Sequence, residues 1–98
     1  MSEPSADTTL DGTPRSVRVL VVDNDIVHAR TMGEGLERLG YHVVVAGGGN
    51  EGAGRLAAES FDVVVTDLMM NDIGGLEILK KAKEAAAETE VIVVTGHG

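Results

Sequence analysis

The chain has 98 residues, 16 of them acidic against 8 basic, with a formal net charge of −8, no cysteine and 2% aromatic residues. That length holds a single domain. The missing thiols exclude disulfides, thiolate metal sites and Cys nucleophiles, and the acidic balance argues against direct binding to nucleic acid or to an anionic membrane.

The start, Met1-Ser2-Glu3-Pro4-Ser5-Ala6-Asp7, has neither the basic nor the apolar segment of a signal peptide. The longest apolar stretches are four residues, too short for a membrane span. A cytoplasmic location is expected, because a small secreted scaffold would want disulfides. Residues 1–16 contain both prolines and few apolar side chains, and read as a flexible leader before a domain over 17–98.

The first apolar run is Val19-Leu20-Val21-Val22. A helical segment follows from Asp25 to Leu39, with Ile26, Ala29, Met32, Leu36 and Leu39 at mostly 3- or 4-residue spacing and Gly40 as its stop. Val43-Val44-Val45-Ala46 is the second run, and Asn50 to Ser60 a weaker helix with Asn50 as its expected cap. Val63-Val64-Val65 is the third run. Gly75 to about Ala87 is the third helix, with Leu76, Leu79 and Ala82–Lys83 on one side. Val91-Ile92-Val93-Val94 closes the series. Continuous β-branched runs indicate strands covered on both faces. The order β-α-β-α-β-α-β therefore predicts an α/β fold with a parallel sheet and right-handed crossovers.

In such sheets the chemistry lies beyond the carboxyl ends of the strands. Those ends carry Asp23-Asn24-Asp25, Thr66-Asp67 and Thr95-Gly96. If the first, third and fourth strands are neighbours, Asp23, Asp67 and Thr95 converge. Carboxylates gathered without a basic partner repel one another, and a divalent cation relieves them. Mg²⁺ suits such a site, since it takes oxygen ligands and typically only one or two carboxylates. A carboxylate can also attack phosphorus to give an aspartyl phosphate. The residues thus point to Mg²⁺-assisted phosphoryl transfer onto Asp.

Val19 to Asp25, Asp62 to Met70, Gly74 to Leu79 and Val91 to Gly98, in this order and spacing, resemble the receiver domain of bacterial two-component response regulators. The ending Thr95-Gly96-His97-Gly98 is similar to receivers of the nitrogen-regulator, sigma-54 activator type. The resemblance implies a CheY-like, flavodoxin-like sheet of strand order 2-1-3-4. It implies that Asp67 accepts a phosphoryl group from a histidine kinase or phosphotransfer protein. Asp23 and Asn24 match the two acidic metal positions, with Asp25 as a further candidate. Met69 matches the position whose backbone carbonyl reaches the metal, and Thr95 the hydroxyl that senses the phosphate. The chain would be a signalling switch rather than a dedicated enzyme, with self-phosphorylation from a phosphodonor and autodephosphorylation as its chemistry.

Two departures stand out. Asn24 replaces a usual acid, which should lower metal affinity. The family continues with a helix, a strand ending in Lys and a last helix, so the sequence reads as truncated after the fourth strand, with an exposed edge suited to homodimer pairing. A receiver that no longer accepts phosphate and serves as an interaction module is the alternative.

Plainer readings stand beside these. Asp23 and Asp25 can be helix caps. His28, His42 and His97 show no metal-ligand spacing, and His28 reads as a solvated helix residue. Gly47-Gly48-Gly49-Asn50-Glu51-Gly52 fits G-x-G-x-x-G after a strand, which keeps a small nucleotide-binding domain as a third reading.

Overall fold

A computed structural model describes residues 16–95. The leader expected over residues 1–16 lies outside the described residues except for Ser16, as do Gly96, His97 and Gly98. The elements are β1 (Arg18–Val22), α1 (Ile26–Arg38), β2 (His42–Ala46), α2 (Gly49–Ala58), β3 (Val63–Asp67), α3 (Gly75–Ala85) and β4 (Glu90–Val94). All pairings are parallel, in the order β2-β1-β3-β4. Val21 pairs with Val45 and Val65, and Asp67 with Val94. This is the expected flavodoxin-like sheet, with the order reversing between β1 and β3, where such folds place their sites.

Both faces of the central strands are covered, which is why their sequences do not alternate. On one face Leu20, Val22, Ala46 and Val64 pack against Leu56 of α2 and Ile78 and Ala82 of α3, with Phe61 alongside. On the other, Val19 and Val21 pack against Ala29 of α1, with Met32 and Leu36 partly buried. Each large aliphatic side chain removed from water contributes about 1.5–3 kcal/mol. In the described sheet β4 pairs with β3 alone, and its Ile92 is 53% exposed.

The helix boundaries follow local chemistry. Asp25 caps α1 by accepting the His28 backbone N–H. At the other end Gly40 takes φ 100°, and the N–H groups of Gly40 and Tyr41 return to the carbonyls of Glu37 and Leu36. That double return is a Schellman stop, which favours glycine. Two expectations are corrected. Gly48, not Asn50, is the N-cap of α2, and its side-chain cap comes from elsewhere in the chain. The buried stripe of α3 is Gly75, Ile78 and Ala82, while Leu76 faces solvent at 66% exposure. The 3- and 4-residue spacings through Ile78 put this stripe on the buried side of the helix.

Candidate functional site

The carboxyl ends of β1 and β3 open into a pocket of about 280 Å³ lined by Asp23, Asn24, Asp25, Asp67, His28 and Val94, over a floor of Val21 and Val65. Parity explains the convergence. Asp23 follows β1 in step with Val19 and Val21, and Asp67 ends β3 in step with Val63 and Val65, so both belong to the α1 side of the sheet. The first turn of α1 then adds Asp25 and His28 from the side.

Asp23 is 6% exposed, and both of its oxygens are engaged. Oδ1 accepts the Asp25 N–H at 2.9 Å, and Oδ2 lies 2.6 Å from His28 Nδ1. The hydrogen bond to Asp23 raises the His28 pKa above its ordinary value, helped by the charges of Asp23, Asp25 and Asp67 and opposed by desolvation. The expectation of carboxylates without a basic partner is therefore corrected: an imidazole stands among them. Sequence spacing alone did not single out His28. The available signal was its position three residues after the cap Asp25, which turns a first-turn side chain back over the end of β1.

The other residues read from the sequence divide. Asp25 both caps α1 and lines the pocket. Asn24 lines it as a neutral amide. Thr95 is exposed and one residue beyond β4, and Val94 rather than Thr95 lines the pocket. The Met69 side chain is 76% exposed and outside the lining, so any part it plays falls to its backbone.

Oxygen donors from Asp23, Asn24, Asp25 and Asp67 on one pocket fit a hard divalent cation. Among the described residues no group of three or more His, Cys, Asp or Glu is arranged as a metal cage.

The glycine-rich segment has a different explanation from a nucleotide. Asp72, in the loop after Asp67, accepts the Gly49 N–H at 2.9 Å and the Asn50 N–H at 2.8 Å. These bonds hold the Asp72 carboxyl below the usual carboxylate range, Asn50 first and Gly49 after it. The start of α2, which would greet a phosphate, is filled by the chain's own carboxylate. A side chain on Gly49 would collide with the Ile73 carbonyl, so close packing of the same loop accounts for that glycine. Asp72 lies 23 residues from Gly49, and no local pattern announces it.

Comparison with known proteins agrees with this geometry. Residues 19–98 match the response regulator receiver domain family. The chain is 30% identical over 79 residues to the response regulator receiver protein CpdR of Brucella abortus (strain 2308), covering 81% of this chain and 66% of that protein. It is 32% identical over 84 residues to the transcriptional regulatory protein GlrR of Escherichia coli (strain K12), covering 86% of this chain and 19% of that protein. A response regulator protein from Burkholderia pseudomallei, whose crystal structure holds a phosphorylated aspartic acid, a calcium ion and citrate, superposes with a TM-score of 0.78 at 30% identity, covering 85% of this chain and 49% of that one. Among the described residues, no helix is long and apolar enough to cross a membrane. The chain belongs to the response regulator receiver domain family.

Proposed function

We propose that this receiver is a phosphoacceptor switch in a two-component relay, with Asp67 as the nucleophile. The observation that carries it is the shared pocket of Asp23 and Asp67 at the carboxyl edge of the sheet. The Burkholderia relative's phosphorylated aspartic acid supports the same chemistry. A carboxylate oxygen of Asp67 attacks the phosphorus of a donor phosphohistidine. The new O–P bond forms as the N–P bond breaks, and the donor nitrogen leaves with the electron pair and takes up a proton from water. Asp23, Asn24, Asp67 and the Met69 carbonyl, with Asp25 nearby, would hold Mg²⁺, which when bound offsets the charge on the phosphoryl oxygens. The open mouth of the pocket admits the donor, and the apolar floor of Val21 and Val65 keeps the reacting carboxylate partly out of water. Thr95, just past β4, is the residue that would turn toward the new phosphoryl group and carry the signal. The donor would be a histidine kinase or a phosphotransfer protein.

The test is incubation with Mg²⁺ and acetyl phosphate, followed by intact mass. The expected result is the gain of one phosphoryl group, absent without Mg²⁺ and absent in Asp67→Asn. A folded protein that gains nothing favours the second reading, an interaction module. Asn24 and the engaged oxygens of Asp23 are the features that favour that reading.

A further inference from the structure

Two features of this site change in the same direction. Asn24 supplies no charge where a receiver usually has an acid. The acid that remains beside it, Asp23, is held by His28. The Nδ1–Oδ2 separation of 2.6 Å is shorter than the about 2.7–2.9 Å usual for a charge-assisted N–H···O bond to a carboxylate. The ring also has somewhere to go. Its side chain is 58% exposed, whereas the Asp23 side chain is 9% exposed. The His28 backbone is fixed by the Asp25 cap at 3.2 Å, so only the side-chain torsions need change for the imidazole to leave. Exposed side chains change rotamer on a picosecond-to-nanosecond scale.

We propose that His28 is a built-in competitor for the divalent cation: its Nδ1–H occupies Asp23 Oδ2 when the site is empty, and it moves into solvent when a cation binds. His28 thereby sets a higher cation threshold than the carboxylates alone would give. The competition requires only a proton on Nδ1, which the imidazolium and one neutral tautomer both carry. It rests on the reading of this pocket as a cation site, and it makes His28 a positioning residue, because it acts through Asp23.

The experiment measures Mg²⁺ affinity by calorimetry at fixed pH in the intact chain and in two variants. His28→Ala removes the donor. His28→Asn places an amide N–H close to where Nδ1 stood. Relief of one hydrogen bond to a charged group should tighten Mg²⁺ binding about ten- to a hundredfold in His28→Ala, and His28→Asn should stay near the parent. In the parent, the imidazole NMR resonances should shift toward those of a solvated His as Mg²⁺ saturates. Equal or weaker binding in His28→Ala overturns the competition, and so do imidazole resonances unmoved at saturation. If Mg²⁺ binds none of the three folded proteins, the cation site itself is refuted and the competition falls with it, an outcome distinct from an unchanged ratio.

Discussion

The two edges of the sheet handle charge in opposite ways. At the amino edge Arg18, Arg55 and Lys83 all find partners within the chain. Arg18 bonds Glu59 at 2.7 Å and lies 5.4 Å from the centre of the Phe61 ring, while its backbone N–H is accepted by Asp62 at 2.8 Å. Arg55 adds a second contact to Glu59. Lys83 donates to the carbonyls of Ala87 and Thr89, and the buried Thr89 hydroxyl donates to the Phe61 carbonyl. At the carboxyl edge Asp23, Asp25 and Asp67 share one pocket, with His28 the single basic side chain among the described residues of its lining. Like charges held together oppose folding unless something else binds them. The amino edge is thus arranged for stability, and the carboxyl edge keeps an imbalance of carboxylates that suits the proposed cation and phosphoryl group.

The strongest way to break this contrast is Arg18→Ala. It removes the ion pair with Glu59 and the ring contact with Phe61, and should cost about 1 kcal/mol of stability. Mg²⁺ affinity and phosphoryl uptake should be untouched, because the site is at the other end of the strands. Chemical denaturation alongside calorimetry checks both halves, and a weakened Mg²⁺ response in folded Arg18→Ala would show that the edges are not separate.

A smaller effect sharpens the picture at Asp72, which ties the loop after Asp67 to the start of α2. Its folded-state pKa lies below the ordinary value. Its contribution is therefore fully present above the unfolded carboxylate pKa of about 4, and is lost as pH falls through the depressed folded value. Asp72→Asn should melt at a lower temperature than the parent at neutral pH, with a gap smaller than that of Arg18→Ala. The gap should close in acid. A gap that is constant with pH would mean that the charge of Asp72 does nothing for α2.

Much of this was legible in the residues, for definite reasons. Val19 to Val22 and Val63 to Val65 are continuous because helices cover both sides of β1 and β3, so the strands announce themselves. Gly40 marks its own turn. Asp23 and Asp67 follow from the rule that sites gather at strand ends. The strand order came from family resemblance, since periodicity cannot order strands. What escaped notice was settled between distant parts of the chain. The start of α2 is set by Asp72, 23 residues from Gly49, so Asn50 looked like a cap. The buried side of α3 is chosen by the sheet beneath it, so Ile78 goes in and Leu76 stays out. His28 becomes more than a surface residue only once α1 is placed over the end of β1.

The most direct test of the central claim is chemical mapping of the acceptor. After treatment with acetyl phosphate and Mg²⁺, borohydride reduction converts an aspartyl phosphate to homoserine, and peptide sequencing by mass spectrometry locates it. The account predicts homoserine at position 67 and at no other acidic residue. An unmodified Asp67 in protein that melts cooperatively, or modification at Asp23 or Asp25 instead, would contradict it.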